Sequence, residues 1–308
     1  MRLSIIVVNW NVQDMLDSCL ASIFAADLAP GSFEIIVVDS ASDDNSVDLV
    51  REKYPAVVLL AQAENVGFTR GNNIGLAQAR GDYLLLLNPD TEVSGSALGL
   101  LVGYLEGNPG VGIVGPHTLN SDGSHQSTRR RFPTLMTGVF ESTWLAAVAP
   151  AGIEREYRLL ETADNDIIMV DWVQGSALML RRELYRAIGG LDEAYVMYSE
   201  ELDYCRRAKS AGWQVAYHGG AIITHHGGKS SEQVVAQTLV HFHTSKLRYF
   251  RKHHGFGHYI SLRCILLLQF AWQLALEAVK GALGHKRGLR AERVRQYWQV
   301  LQSGLKAK

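Results

Sequence analysis

Asp90 closes the run Leu84-Leu85-Leu86-Leu87-Asn88-Pro89-Asp90. Four consecutive apolar residues read as a strand buried on both faces, and Asn-Pro ends the pairing and turns the chain. A carboxylate fixed there sits on the edge where open α/β sheets take ligands, and it suits a divalent cation carrying a diphosphate. The plainer reading is a turn Asp that caps the next helix. Asp39 ends a second apolar run, Val37-Val38-Asp39-Ser40-Ala41-Ser42-Asp43-Asp44. It shares that edge with Asn9, because parallel strands bring their C-terminal ends together, and its carboxylate can take hydrogen bonds from a base or ribose. Part of that cluster (Ser42, Asp43 or Asp44) caps the following helix.

Three further segments carry chemistry. Asn65-Val66-Gly67-Phe68-Thr69-Arg70-Gly71-Asn72-Asn73 offers glycines for tight backbone and the amides of Asn65 and Asn73 for hydrogen bonds. It runs into a helix, whose N-terminus favours anions; Arg70 there is a candidate phosphate contact, and the plainer reading of the segment is a glycine-punctuated turn. In Glu200-Glu201-Leu202-Asp203, adjacent carboxylates raise one another's pKa when buried, so one can act as a general base. The same acids, with Ser199 as N-cap, are also good helix-start chemistry. His225-His226-Gly227-Gly228 follows a short strand, and a neutral imidazole there is a ligand for Mn²⁺ or Mg²⁺. The two histidines lack helical ligand spacing, so at most one binds.

The elements that must position these groups alternate in type. Strands are predicted at Leu3–Val8, Phe33–Val38, Val57–Ala61 and Tyr83–Leu87, with helices at Asp14–Ala25, Asp44–Tyr54 and Gly71–Ala79 between them. That rhythm predicts an α/β fold with a doubly wound, mostly parallel sheet. Gly110 to Gly115 spells G-V-G-I-V-G, but it follows Asn108-Pro109 and meets Pro116 where a phosphate-binding helix would begin. It therefore reads as a turn and strand, not a dinucleotide fingerprint. Arg129-Arg130-Arg131, with Phe132-Pro133, reads as a mobile loop, first as plain solvated charge and, near a diphosphate, as a loop able to close over the donor. Two strand segments around Gly175-Ser176 follow, then helices Arg181–Ile188 and Glu200–Ala211 and short strands Val215–Tyr217 and Ala221–Thr224.

The 308 residues, 47% hydrophobic, suffice for one large domain plus an extension. The formal net charge is −1, but residues 246–308 hold thirteen Lys/Arg against two Asp/Glu. A basic tail on an acidic body implies an anionic surface as partner. Cys19, Cys205 and Cys264 are far apart, which argues against a disulfide framework and a zinc site. Ile5–Val8 is too short for a signal-peptide core, so a cytoplasmic location is expected.

Taken in order, Val7-Val8-Asn9-Trp10-Asn11, Val38-Asp39-Ser40-Ala41-Ser42-Asp43, Asn65-Val66-Gly67-Phe68, Leu87-Asn88-Pro89-Asp90, Gly175-Ser176-Ala177, Gly189-Gly190-Leu191-Asp192-Glu193, Glu200-Glu201-Leu202-Asp203 and His225-His226-Gly227-Gly228 resemble a family 2 glycosyltransferase with the GT-A fold. The rhamnosyltransferase-like branch is the most similar. The resemblance covers about residues 1 to 230. It implies that Asp39 contacts the nucleoside and that Asn88 and Asp90 stand for the Asp-X-Asp metal motif, with Asp90 the metal ligand and Mg²⁺ or Mn²⁺ the cofactor. It implies Glu201, with Glu200 in contention, as catalytic base, where the family usually has an Asp after a Glu. It implies His225 as the late metal- or diphosphate-binding histidine and Gly175-Ser176 as lining the acceptor site. Asn9, Asn65, Arg70, Asn73 and Asn88 complete the expected donor-binding set. The implied activity is inverting transfer from a nucleotide-diphosphate sugar, dTDP-rhamnose first among donors, to a saccharide or lipid-linked saccharide in cell-envelope polysaccharide synthesis. The rival classes are a sugar-nucleotidyltransferase, which would carry a basic glycine-rich loop where Asn9-Trp10-Asn11-Val12 stands, and a non-catalytic nucleotide-sugar-binding protein.

The tail, residues 231–308, reads as a basic amphipathic helical extension of a 1–230 catalytic domain. In His258–Leu283 the polar Gln269, Gln273 and Glu277 form one narrow stripe on a broad apolar helix. Thirteen residues separate Arg263 from Glu277, short of the roughly 20 a spanning helix needs. The helix is expected to lie in the interface of an anionic membrane at its inner face, or to pack on a second subunit as a homodimer; the plainer reading packs it on the catalytic domain with a solvated basic end. No nucleic-acid partner is expected.

Overall fold

The structure, a computed structural model, describes residues 2–141, 143–227 and 235–307. The first half alternates as the sequence predicts. Strands β1 (Leu3–Asn9), β2 (Phe33–Asp39), β3 (Val58–Ala61) and β4 (Tyr83–Leu87) are separated by helices Gln13–Phe24, Ser46–Lys53 and Phe68–Gln78. After β5 (Thr91–Val93) and helix Ala97–Gly107 come β6 (Val111–Leu119), β7 (His125–Gln126), β8 (Arg129–Arg130), β9 (Ile167–Val170), β10 (Trp172–Val173), β11 (Ala177–Arg181) and β12 (Gln214–His225).

The ten-stranded sheet runs β3-β2-β1-β4-β11-β6-β12-β5, with β7 on β6 and β9 on β12. β1 pairs in parallel with both β2 and β4, whereas β11 pairs antiparallel with β4 and β6. β1 and β4 are buried along their whole length, as a strand covered by helices on both faces must be. Helix Phe68–Gln78 lies close on β1 because Gly71 and Gly75 face it: a Cβ on Gly71 would come 2.7 Å from Val8, and one on Gly75 would overlap Ile6.

Three local expectations are corrected. The arginine run is not a mobile loop. Arg129 and Arg130 pair with Val173 and Trp172 in a small second sheet, and Arg129 is buried. The segment before Gly175 contains two strands, β9 and β10, because it turns from one sheet to the other. The two short strands expected after Gly212 are one strand, β12, with register shifts between His218 and Ile222. A bulge keeps the ladder going while re-aiming side chains. The glycine-rich 110–115 stretch is a turn and strand as expected, and Gly115 packs against Val173.

The chain divides into two compact units. One comprises Met1–Phe132, Arg155–Val196 and Glu200–Ser230, and the other Pro133–Glu154, Met197–Ser199 and Ser231–Lys308. The second is built on helices Val235–His254, Phe256–Ala282 and Arg287–Ser303. Its core includes Leu247, Phe250, Leu262, Leu266, Phe270 and Val300, all buried. Gly255, at φ 88°, makes the break between the first two of these helices.

Candidate active site

The parallel register sets Asn9 beside Asp39 at the C-terminal ends of β1 and β2. Both are buried. Asn9 Nδ2 donates to Asp39 Oδ2 at 2.8 Å and to Ser42 Oγ at 3.2 Å. The Ser42 backbone N–H and hydroxyl donate to the two Asp39 oxygens at 2.9 and 2.8 Å. Asn11 and Ala41 take left-handed backbone, φ 54° and 56°, in the two loops, which are joined where the Asn11 N–H donates to Ser42 Oγ at 3.0 Å. Asn9 Oδ1 is buried with no partner, the pattern of a polar group waiting for a ligand.

β4 delivers Asn88 and Asp90 to the same edge. Asn88 is tied down by its backbone N–H to the Ser176 carbonyl at 2.9 Å and by its carbonyl to Thr91 Oγ1 at 2.7 Å. β5 pairs antiparallel with β12, placing Thr91 opposite His225 and thereby His225 beside Asp90. His225 Nδ1 lies 2.8 Å from Gln126 Oε1, and the Gln126 amide nitrogen donates to Asn120 Oδ1 at 2.9 Å. With the Gln126 amide oriented in this way, His225 Nδ1 is the donor to Oε1. Nε2 faces Asp90 Oδ1 at 3.3 Å and lies 3.5 Å from Asn88 Nδ2. Nε2, the Asp90 carboxylate and the buried, unpartnered Asn88 Oδ1 thus lie together at this edge. Asp90, His225 and the Asn88 carbonyl oxygen therefore fit a divalent cation, with Gln126 as the carbonyl that orients the histidine.

Glu200 and Glu201 open helix Glu200–Ser210. Tyr198 and Ser199 precede them at φ 69° and 64°. This left-handed backbone is strained for non-glycine residues, and it is not the extended geometry of an N-cap. The helix-start reading of Ser199 is therefore corrected. Burial raises the pKa of both glutamates. Glu200 is pushed well above the carboxylate range, with the neighbouring Glu201 charge adding to the rise. Glu201 is raised less, because backbone hydrogen bonds, the Arg130 guanidinium and the Gly175 backbone favour its charged form. One carboxyl oxygen of each is buried and unpartnered. Gly175 lies directly on Glu201, where a Cβ would come 3.4 Å from its side chain. Ser176, buried with an unpartnered hydroxyl, links this region to Asn88.

The rest of the expected set is placed differently. Asn65 Oδ1 accepts from Ser40 Oγ at 3.0 Å and from the Gly67 N–H at 2.9 Å, closing the turn beside Asp39. Arg70 is exposed and 3.8 Å from Glu64. Asn73 clasps the segment after Gly190: it donates to the Leu191 carbonyl and Glu193, each at 2.9 Å, and accepts from the Leu191 N–H at 2.8 Å. Its amide is spent on structure. Sequence reasoning missed Gln126 and Ser42 as partners, because nothing in their local sequence tells which strand end they reach.

A family model for glycosyl transferase family 2 matches residues 4–189. The chain belongs to glycosyl transferase family 2. The family 2 chain is 26% identical over 273 residues to an N-acetylglucosaminyl-diphospho-decaprenol L-rhamnosyltransferase of Mycobacterium tuberculosis (strain CDC 1551 / Oshkosh), covering 82% of this chain and 85% of the relative. It is 25% identical over 221 residues to the rhamnosyltransferase WbbL of Escherichia coli (strain K12), covering 69% and 79%. Its fold is similar to that of the mannosyltransferase PcManGT from Pyrobaculum calidifontis, solved in complex with GDP-Man and Mn²⁺. The TM-score is 0.60 at 18% identity, covering 99% of this chain and 85% of that one. The family 2 enzyme thus has the GT-A fold and is rhamnosyltransferase-like.

Proposed function

We propose that this family 2 enzyme inverts configuration as it moves rhamnose from dTDP-rhamnose to a hydroxyl of a lipid-linked saccharide in cell-envelope polysaccharide synthesis. The observation that carries the reading is the convergence at one sheet edge of an Asn–Asp pair, an acid–imidazole pair and unpartnered buried polar atoms. Asn9 and Asp39 hold the nucleoside, and Asn65 shapes the loop beside them. Arg70, exposed at the start of its helix, meets the diphosphate. Asp90, His225 and Asn88 hold Mg²⁺ or Mn²⁺, which when bound neutralises charge growing on the leaving diphosphate. Glu201 takes the proton of the acceptor hydroxyl as its oxygen bonds to the anomeric carbon. The bond to the diphosphate oxygen breaks on the opposite face, the electron pair leaving with the nucleotide. Glu200, more strongly biased toward its neutral form, keeps the pair from carrying two buried charges. Gly175 leaves the space beside Glu201 open to the acceptor, and Ser176 offers it a hydroxyl.

The rhamnosyl donor and polyprenyl-linked acceptor are supported by the names of the relatives. The test is release of nucleotide diphosphate from a panel of nucleotide sugars, with a prenyl-diphosphate-linked N-acetylglucosamine as acceptor, with and without Mn²⁺ and Mg²⁺. Transfer from dTDP-rhamnose alone is expected. Transfer from a different sugar nucleotide would overturn the donor assignment, and full activity in chelator would overturn the metal.

The second unit supports a cytoplasmic enzyme seated on the inner membrane face. Against the count taken between Arg263 and Glu277, the 27-residue helix Phe256–Ala282 is long and apolar enough to cross a membrane by length and composition alone. Its polar stripe turns inward: Gln269 and Glu277 are buried, Glu277 pairing with Arg290 at 2.5 Å. The face it leaves outside carries Leu268, Trp272, Leu276 and Val279, with Leu268 72% exposed. Lys280, Lys286, Arg287 and Arg295 follow this face. An apolar surface beside cations matches an anionic leaflet better than it matches water.

A further inference from the structure

A second cluster of ligating side chains stands apart from the family site. His117 near the end of β6 and His125 on β7 face each other, with His117 Nε2 3.0 Å from His125 Nδ1 and ring centroids 5.0 Å apart. Asp164 stands beside them, its Oδ1 3.6 Å from His125 Nε2. One ligand atom from each of the three falls within 4.8 Å of the others. Among the described residues no other group of three His, Cys, Asp or Glu side chains meets in this way.

The cluster is held by its surroundings. Arg129, buried, bonds Asp164 Oδ1 at 2.9 Å and the Thr162 carbonyl at 2.7 Å. The Tyr217 hydroxyl donates to the Asp164 carbonyl at 2.6 Å, and Arg129 stacks on the Tyr217 ring at 4.9 Å. The carboxylate is thereby oriented by a cation and an anchored backbone, as metal-binding carboxylates are by their outer partners. Burial lowers the pKa of both histidines, which favours the neutral rings that bind a cation, and the proton of the hydrogen bond between them would leave for another ring nitrogen or for water as the ion enters. Two nitrogens at 2.0–2.1 Å from one tetrahedral ion stand about 3.3 Å apart, so the observed pair needs only a slight opening to accept one.

We propose that His117, His125 and Asp164 form a structural Zn²⁺ site, water completing the tetrahedron. Two imidazoles and one carboxylate are the ligand types of zinc, whereas the oxygen-rich strand-end site suits Mg²⁺ or Mn²⁺. The ion ties β6, β7 and the 162–166 turn together. Its consequence lies one residue away, where Gln126 accepts from His225: clipping β7 in place fixes the orientation of the active-site histidine.

The test titrates Zn²⁺ into the metal-stripped full chain in excess Mg²⁺, read by calorimetry and by the thermal midpoint. Cobalt substitution supplies a visible spectrum. One zinc per chain is expected, with a raised midpoint and the visible bands of a tetrahedral cobalt site. His117→Gln and His125→Gln should each abolish all three signals, Asp164→Asn should weaken binding, and Asp90→Asn should leave binding intact. No uptake by the unmodified chain would overturn the proposal and leave a plain hydrogen bond between the histidines. Uptake unchanged in both histidine variants, or lost with Asp90→Asn, would overturn it equally.

Discussion

Asp90 Oδ1 and His225 Nε2 lie 3.3 Å apart, and in the proposed site removing Asp90 leaves a cation only His225 and Asn88 as side-chain anchors. Asp90→Ala is expected to lower kcat/KM by at least about 100-fold, a loss on the scale of an electrostatic transition-state contact. Metal-dependent donor binding, followed by calorimetry, should fall with it. The glutamates differ in environment, and the proposed roles follow that difference. Glu201→Gln should reduce kcat strongly with donor affinity unchanged, and Glu200→Gln should reduce it less; the reverse order in steady-state kinetics would move the base to Glu200. The pair also fixes a pH dependence. Both folded pKa values are raised above the ordinary 4.5, so folding favours the protonated pair. That stability is fully present below about 4.5 and is lost as pH rises through the raised values. Glu200→Gln, neutral throughout, should flatten the fall of the thermal midpoint over that range, and an unchanged slope would place Glu200 in contact with water.

At the scale of elements, close approach decides where the site residues stand. Helix Phe68–Gln78 reaches β1 only because Gly71 and Gly75 carry no side chain where Val8 and Ile6 press against them. Gly75→Ala should cost about 1–3 kcal/mol of stability in urea unfolding, the usual cost of overpacking a filled core, because a buried β1 cannot move aside. The β5–β12 pairing is the other decisive element contact, since it sets His225, far away in sequence, beside Asp90.

At the scale of the whole molecule, the exposed apolar face of Phe256–Ala282 predicts behaviour at a surface. Full-length protein should bind anionic vesicles at low salt and release them as salt rises, each nearby Lys or Arg adding about 1 kcal/mol. Trp272→Glu with Leu276→Glu changes only outward residues, so it should abolish binding in vesicle flotation while the thermal midpoint holds. Equal flotation of this variant would assign the face to another partner, a second copy of the chain being tested by sedimentation.

Much of this was legible in the sequence because it is local. The buried runs before Asn9, Asp39 and Asn88, the Pro89 turn and the strand–helix alternation follow from patterns within a few residues, and they determined the parallel β1–β4 part of the mixed sheet and the edge where Asp39 and Asp90 lie. The chain's order of motifs determined the family. What only the tertiary structure decided are contacts between segments far apart in sequence. Gln126 under His225, Ser176 under Asn88 and the Asn73 clasp on Leu191 each join groups whose meeting depends on strand order and register. Arg129 looked like solvated charge until Tyr217, Thr162 and Asp164 closed around it. The polar stripe of the long helix was visible in sequence, but its direction was not. Periodicity fixes which residues share a face, and only packing decides which face is turned to water.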